Sequence, residues 1–459
     1  MSVRIAPDFF EGDLRPPGWP DDPDLRRSVE WFISFMPADE WRSRRVAALE
    51  RFLNAATGNL AEDPSGAGRF FSANDQFAWY VFLGQANLDH PTIYDFMFGS
   101  RVLPILRSIG RNLDLLMGIE GIGHRVQRMV NAERRQPNGG LFELLVAAAY
   151  RREGAEVRFL PEEPGIKKTH DMDVRIRGRE WSVECKRMEI GEYTEKERAC
   201  ARELWLPTAH AMQRQGLNVL AKVQFASELD DISPEYLTRH TIHWTSSGFL
   251  APHQWKDKHG SGSIGKLDMS RLKAVLKTDD VALHSSRMME LLTGEYKRNA
   301  KVIQVMLAKM AENPLYVAEC DQAVVLDWES HSPAAIDGKA RDVLKRLADG
   351  VRQLPDGRPS VIHIGLEAVD GDAVERLRYD KVVRTVTSFD PQGKELEYVY
   401  VHWFAPESSP TRSEAFDETT HWSGRRPGQL RPLRDGMLVL APDITTREGF
   451  HWDGKTPPD

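Results

Sequence analysis

Four residues whose side chains could bind a metal ion and move a proton lie within one short segment of the chain: Asp171, Asp173, Glu184 and Lys186. Alternation of apolar and polar residues predicts two strands here. Both aspartates share one face of the first strand, and the glutamate and lysine share one face of the second. The tight glycine turn between the strands predicts an antiparallel hairpin. Pairing would bring an aspartate close to the glutamate and the lysine.

Two carboxylates beside an ammonium group suit the hydrolysis of a phosphodiester. Mg²⁺ prefers oxygen ligands, keeps several of its waters and accepts phosphate oxygens of a substrate. The ion lowers the pKa of a bound water and offsets charge in the transition state. Lys186 would orient or deprotonate the attacking water. Glu143, on a helix just upstream, would supply a third carboxylate or a second metal ligand.

The elements that must position these residues are predicted in the order αβββαβ. The first helix has a dense apolar face and ends at Gly154, which is a typical helix C-terminal residue. The strands are short and carry alternating or β-branched apolar residues. The predicted elements are a helix over 141–153, strands over 156–160, 172–176 and 181–185, a helix over 194–214 and a strand over 217–225.

This ordered set of residues resembles the PD-(D/E)XK nuclease superfamily, which has the restriction-endonuclease-like fold. The resemblance rests on the helix glutamate, the paired aspartates and the motif Val183-Glu-Cys-Lys186 at the end of a buried strand. It covers about 138–225, a minor part of the chain. It implies an α/β fold with a restriction-endonuclease-like αβββαβ core, between an all-α N-terminal domain and a C-terminal α/β extension.

The resemblance also implies roles for individual residues. Glu184 and one aspartate would bind the metal, and Lys186 would be the catalytic lysine. Glu143 would match the acidic residue that many members carry on the first core helix. No proline precedes the aspartates, so the pattern leaves both Asp171 and Asp173 as candidate ligands. Asp173 is slightly preferred because it directly opens the apolar part of its strand.

The function that follows is Mg²⁺- or Mn²⁺-dependent hydrolysis of nucleic acid, with DNA favoured over RNA. A role in bacterial defence or DNA processing follows by analogy with the superfamily, and so does a homodimer that cuts both strands. The alternative is a catalytically inactive module of the same fold that binds nucleic acid or a protein partner. Retention of the whole set of acids with the lysine argues against that alternative.

Composition limits the remaining classes of function. Hydrophobic residues make up 41% and charged residues 28% of the 459 residues, which is typical of globular proteins with more than one domain. The net charge of −7 argues against a protein that coats nucleic acid through bulk charge, but a local basic groove would suffice for an enzyme. No apolar run is long enough for a membrane span, so no membrane partner is expected. Three cysteines and no apolar signal core indicate a reducing, cytoplasmic location.

The rest of the chain is predicted to form further domains around this core. A long helix is expected over 283–311 and a flexible glycine loop over 260–265. Strands alternate with helices from residue 322, and an irregular tail follows Pro406. The predicted domains are a helical N-terminal domain over 1–135, the nuclease core over 136–228, a helical insertion or linker over 229–320 and an α/β region with an irregular tail over 321–459.

A weaker signal for nucleic-acid binding lies in the arginine-rich segment 101–135. Its arginines predict either a face that tracks phosphates or an ordinary solvated helix surface, and the sequence leaves both open. Within it, the segment Leu116–Arg125 is similar to the helix-hairpin-helix DNA-binding motif over about ten residues. A helix break with glycine at the ends of the helices is the preferred interpretation.

Overall fold

The computed structural model describes residues 4–6, 9–11, 15, 18–56, 74–161, 169–188, 192–249, 251–283, 285–298, 301–312, 316–340, 343–407, 415–425, 431–441, 444 and 449–453. The fold is mixed α/β with two mixed β-sheets. The helices are α1 (Pro23–Ile33), α2 (Ala38–Ala56), α3 (Gln76–Asp89), α4 (Phe96–Arg111), α5 (Leu113–Met117), α6 (Ile122–Asn131), α7 (Asn138–Arg152), α8 (Glu192–Arg214), α9 (Tyr236–Ser246), α10 (Ser270–Val275), α11 (Ser286–Thr293), α12 (Pro333–Lys339), α13 (Val343–Gln353) and α14 (Asp372–Ser388). The strands are β1 (Glu156–Phe159), β2 (Met172–Ile176), β3 (Arg179–Arg187), β4 (Val219–Phe225), β5 (His253–Lys256), β6 (Gly260–Lys266), β7 (Lys301–Met310), β8 (Val317–Ser330), β9 (Ser360–Glu367), β10 (Leu396–Glu407) and β11 (Ala415–Gly424).

The first sheet has the strand order β1-β2-β3-β9-β10-β11. Strands β1 to β3 form an antiparallel meander, and β9 lies parallel to both β3 and β10. The turn between β2 and β3 consists of Arg177 and Gly178, both with positive φ (51° and 74°). Two such residues match the twist of a two-residue hairpin, which fixes the pairing register of β2 and β3.

Helices cover both faces of the first sheet. Helix α7, with the N-terminal helices behind it, packs on the face of Val183 and Cys185. Helix α13 packs on the opposite face, against β3 and β9, and α14 lies beside it. Because both faces are covered, β9 is buried almost from end to end, as is usual for parallel strands.

The second sheet has the strand order β5-β6-β4-β8-β7. Helices α8 and α9 pack on one face, and α10 and α11 pack with the apolar residues of the other. The second sheet is built from residues between β3 and α13 in the chain. In the chain, the second sheet therefore lies between two adjacent strands of the first sheet, β3 and β9.

The predicted helix and strands of the nuclease core are present as α7 and β1 to β3, but the predicted last strand is misplaced. The strand expected over 217–225 exists as β4, yet it pairs with β6 and β8 of the second sheet. The place beside β3 belongs to β9. The helix that crosses the first sheet to reach β9 is α13, whereas the predicted helix α8 packs on the second sheet. Apolar alternation indicates a buried strand but carries no information about its partner, which explains the error.

Two predictions for the region 229–320 are wrong, one of a flexible loop and one of a long helix. The expected flexible loop over 260–265 is strand β6, in which glycine leaves room for a neighbouring ring: a Cβ atom on Gly262 would lie 2.4 Å from Trp255. The expected long helix over 283–311 is the short helix α11 followed by the edge strand β7. Gly294 ends the helix with φ of 87°, and the following β-branched residues favour a strand.

The predicted irregular tail also contains regular structure. Strand β11 follows Pro406 in the chain and pairs along its whole length with β10. It forms the outer edge of the first sheet. The alternating segment Ala415–Gly424 carries aromatic and threonine residues, which suit a half-buried edge strand.

Candidate active site

The hairpin of β2 and β3 places Asp171 opposite Glu184. Met172 pairs with Val183, and the backbone N–H of Asp171 donates to the carbonyl of Val183 at 3.2 Å. Continuing this register by one residue sets Asp171 across from Glu184 on the same face. The carboxylate of Asp171 accepts a further hydrogen bond from the backbone N–H of Cys185 at 2.6 Å. The hairpin thus brings one aspartate to the glutamate, as the sequence predicts.

Glu184 and Lys186 lie on the face of β3 that α13 covers. Glu184 is fully buried, and the ammonium group of Lys186 donates to its carboxylate. Helix α13 packs closely on this face at Gly350, where an added Cβ atom would lie 3.2 Å from Cδ1 of Ile362 and in ordinary contact, at 3.6 Å, with Cγ of Glu184. The acid and the lysine are therefore held between a strand and a helix.

Gln353, at the end of α13, completes this group. Its amide is assigned the orientation that satisfies both neighbours. In this orientation the amide nitrogen donates to Oε1 of Glu184 at 3.3 Å, and the amide oxygen accepts from Nζ of Lys186 at 2.8 Å. Gln353 was missed by the sequence analysis because it lies far along the chain and reaches the site only through the parallel pairing of β9 with β3. Glutamine has no spacing pattern that would have pointed to it.

The electrostatics of the site reflect two carboxylates close together. Burial raises the pKa of Asp171 well above its usual value, and the charges of Glu184 and Glu143 raise it further. Burial by itself would lower the pKa of Lys186, but Glu184 and Asp171 outweigh it and raise the pKa above its usual value. The lysine is thus a charged partner of the acids in this structure.

Glu143 is buried on α7 and is bound by an arginine. The guanidinium of Arg125 contacts both of its carboxylate oxygens, with a distance of 2.8 Å from Nη2 to Oε1. Arg125 also contacts Glu133 at 2.8 Å. The charge of Glu143 reaches Asp171, whose pKa it raises, but its own oxygens are engaged by the arginine. Glu143 therefore lies near the site as one half of an ion pair.

Asp173 has different neighbours from Asp171. Its carboxylate contacts Arg158 at 2.8 Å, His170 at 2.8 Å and Arg358 at 3.0 Å. Burial opposes ionisation of this group, but hydrogen bonds from His170 and Arg158 outweigh it and lower the pKa of Asp173 to about 2. The geometry therefore favours Asp171 over Asp173 as the partner of Glu184, against the slight preference drawn from the sequence.

The carboxylates suit a hard divalent cation, although they do not enclose one. Among the described residues, no group of three or more His, Cys, Asp or Glu side chains is arranged to hold a metal ion. Mg²⁺ is often held by only one or two carboxylates, with water and substrate phosphate as its other ligands. Asp171 and Glu184 provide that donor set. The pKa of Asp171 is raised first by burial and then by the charges of Glu184 and Glu143, and a bound cation would offset those charges.

Most arginines of the segment 101–135 are engaged in ion pairs within the protein. Arg101, for example, binds Glu367 at the end of β9 with a distance of 2.8 Å from Nη2 to Oε2. Ion pairs of this kind attach the helices to the first sheet and to one another, which favours a structural role for these arginines. The other pairs are Arg107 with Asp22, Arg111 with Asp24, Arg125 with Glu133 and Glu143, and Arg128 with Glu133.

The segment similar to a helix-hairpin-helix motif is a helix break beside β1. Helices α5 and α6 meet at Gly121, which has φ of 83°. A Cβ atom on Gly121 would lie 2.8 Å from the carbonyl oxygen of Phe159. The backbone N–H of Phe159 in turn donates to Glu120 at 2.9 Å. The glycine therefore allows the turn to pack closely against the edge strand of the first sheet.

Comparison of the chain with protein-family models, with curated proteins and with solved structures gave no match. Within the described part of the chain, no helix combines the length and the apolar character that crossing a membrane requires.

Proposed function

We propose that this protein is a metal-dependent nuclease that hydrolyses phosphodiester bonds of nucleic acid, with DNA favoured over RNA. The observation that carries the proposal is the pair formed by the half-buried Asp171 and the fully buried Glu184, which face each other beside Lys186. Two carboxylates largely shielded from water repel each other when both are ionised, and a structural role gives no reason to keep them there. A bound cation gives that reason.

The proposed chemistry assigns a task to each side chain. Asp171 and Glu184 hold Mg²⁺ or Mn²⁺, which lowers the pKa of a bound water and offsets charge on the phosphate. Lys186 is placed to orient or deprotonate the attacking water, since cation binding would remove part of the negative charge that now raises its pKa. Gln353 holds the amine of Lys186 and the carboxylate of Glu184 in one geometry. Glu143 contributes its charge from beneath the site.

The connection of the first sheet agrees with the fold that the resemblance implies. Helix α7, the meander β1 to β3, helix α13 and the parallel strand β9 follow one another in the order αβββαβ, once the second sheet is set aside. The candidate residues lie on α7, directly before and within β2, on β3 and at the end of α13. A homodimer would allow the enzyme to cut both strands, and a role in bacterial defence or DNA processing follows only from the superfamily.

The second candidate function is an inactive module of the same fold that binds nucleic acid or a protein partner. It is favoured by the tight pairing of Glu143 with Arg125 and of Lys186 with Glu184. Side chains that already satisfy one another need no metal. The two candidates differ in one measurable respect, because only the nuclease loses a reaction when Lys186 is removed.

The deciding experiment is a gel assay on supercoiled plasmid, linear duplex, single-stranded DNA and RNA, with Mg²⁺ or Mn²⁺. Wild type is compared with Lys186→Ala and Glu184→Gln, and with Lys277→Ala as a control that removes an exposed lysine elsewhere. Cleavage by wild type and the control alone would support the nuclease and give its substrate class. Linear product from plasmid would indicate that both strands are cut. If neither wild type nor any variant cleaves a substrate while all of them bind DNA, the inactive module is favoured.

A further inference from the structure

A second group of ionisable residues lies on the second sheet, apart from the candidate nuclease residues. It lines an open pocket of about 540 Å³ between α9 and the hairpin of β5 and β6. The volume is within the range of pockets that bind small ligands. Six of its lining residues are basic: Arg239, His240, His243, His253, Lys258 and His259.

The one acidic residue of the pocket is engaged by the protein. Oδ1 of Asp257 accepts hydrogen bonds from the hydroxyl of Tyr236 at 3.1 Å and from the backbone N–H groups of His259 at 2.8 Å and Gly260 at 3.2 Å. These bonds form the turn between β5 and β6. The carboxylate therefore serves to shape the pocket, and the groups open to solvent are mainly basic.

The imidazole rings of the pocket form a continuous aromatic surface. His240 stacks on Trp255 with ring centroids 4.1 Å apart and an angle of 12°. His253 approaches His240 with 3.2 Å between ring nitrogens, and His243 lies 4.4 Å from His253. His243 is exposed, so the surface ends in a ring open to solvent. Neutral imidazoles can stack and share a hydrogen bond in this way, so the surface presents uncharged aromatic rings between the cationic side chains of Arg239 and Lys258.

We infer that this pocket binds one nucleotide unit of a single-stranded nucleic acid. Arg239 and Lys258 would contact a phosphate, and the exposed ring of His243 would stack on the base. Basic side chains that track the backbone, together with aromatic rings that stack on bases, are the usual means of binding single strands without sequence preference. This inference rests on the proposed function, because the ligand of the pocket would be the substrate of the nuclease. The pocket would bind that substrate at a place separate from the cleavage site.

The test measures binding of a fluorescent single-stranded oligonucleotide by anisotropy, in the Glu184→Gln protein with EDTA, so that no cleavage occurs. Arg239→Ala and Lys258→Ala should each weaken binding about tenfold, the effect of a hydrogen bond to a charged group. Each should also reduce the slope of log K against log salt by about one. His243→Ala should weaken binding about tenfold through lost stacking. Lys277→Ala should leave binding unchanged.

Competition with small ligands distinguishes binding of a whole nucleotide from binding of phosphate alone. Displacement of the oligonucleotide by a nucleoside monophosphate, and not by inorganic phosphate at the same concentration, supports a site for one nucleotide unit. Equal displacement by both reduces the site to a phosphate site and overturns the stacking part of the inference. Equal binding by the Glu184→Gln protein with and without the Arg239 and Lys258 substitutions overturns all of it. If wild type binds in this way but never cleaves with Mg²⁺, the proposed nuclease fails and the pocket stands.

Discussion

Replacing Asp171 with asparagine should stabilise the metal-free protein and remove its response to Mg²⁺. Asp171 is paired with Glu184 on the same face of the hairpin, and the asparagine would keep a carbonyl oxygen able to accept the hydrogen bond from Cys185. The change removes a carboxyl group whose ionisation is opposed by burial and by the charges of Glu184 and Glu143. It also removes one of the two proposed metal ligands.

The size of the effect depends on pH in a defined direction. The pKa of Asp171 is raised in the folded protein by burial, by Glu184 and by Glu143. Between the ordinary carboxyl pKa and the raised value, the unfolded chain has lost a proton that the folded chain still holds. The contribution of Asp171 to the free energy of unfolding therefore falls as pH rises through this range, by up to about 1.4 kcal/mol per pH unit. Asp171→Asn avoids this loss, so its advantage is absent below about pH 4 and grows above it.

The assay is urea unfolding at several pH values between 4 and 8, with and without Mg²⁺. In wild type, millimolar Mg²⁺ should add about 1.4 kcal/mol at a concentration ten times its Kd. The matched control is Asp173→Asn, which removes a carboxylate held by His170 and two arginines. Because the pKa of Asp173 is lowered to about 2, its contribution to stability is present above the ordinary carboxyl pKa. The control should therefore destabilise the protein at pH 7.

At pH 7 the free energy of unfolding should therefore rise in Asp171→Asn and fall in Asp173→Asn. If Asp171→Asn is destabilising at pH 7 to the same extent as Asp173→Asn, Asp171 is not held in a repulsive pair of carboxylates. If wild type gains no stability from Mg²⁺ or Mn²⁺ at any pH in this range, the two carboxylates do not form a metal site.

Three further changes test other parts of the structure. Arg125→Ala should cost about 3–5 kcal/mol because it leaves Glu143 buried without a cation; urea unfolding should show partial recovery when Glu143→Gln is added, and no recovery would contradict the pairing. The contribution of two buried histidines to stability should fall below about pH 6.5, because burial lowers the pKa of His402 to about 3 and the pKa of His363 well below its usual value, so that in the folded protein these groups stay unprotonated while the unfolded chain takes up protons. His402→Leu should therefore make the free energy of unfolding rise less steeply with pH than in wild type between pH 5 and 7, and an unchanged slope in unfolding experiments would exclude His402 as a source. Gln353→Ala should slow single-turnover cleavage about 10- to 100-fold with little change in substrate affinity, since the amide positions Lys186; a variant as fast as wild type would remove Gln353 from the site.

Local elements of the first sheet could be predicted from the sequence because their signals are local. The segment from α7 to β3 combines a helix with a glycine end, alternating strands and a turn with Gly178, and each signal acts over a few residues. The shared face of Glu184 and Lys186 follows from alternation alone. The opposition of Asp171 to Glu184 follows once the two-residue turn fixes the register.

The partners of β3 could not be predicted because strand pairing is not local. Both β4 and β9 are buried apolar segments, and nothing in either segment states which one lies beside β3. Gln353 was missed for the same reason. The choice between Asp171 and Asp173 stayed open for a different reason, because it depends on Arg158 and Arg358, which reach Asp173 from β1 and from the residues before β9. Such charge pairing appears only when the sheet is assembled.

The insertion of the second sheet between β3 and β9 has a consequence for the newly made chain. At ordinary rates of translation the stretch from Arg187 to Ser360 takes roughly 10–30 s to synthesise. During that time β3 leaves the ribosome with an unpaired edge, and Glu184, which is fully buried in the folded protein, has neither α13 nor β9 to cover it. An open edge strand readily pairs with other chains. The second sheet can form meanwhile from its own contiguous segment. Because the β3 edge stays open until β9 is made, the nascent protein needs either a factor that shields this edge or early folding of α7 and the N-terminal helices, which hold the hairpin.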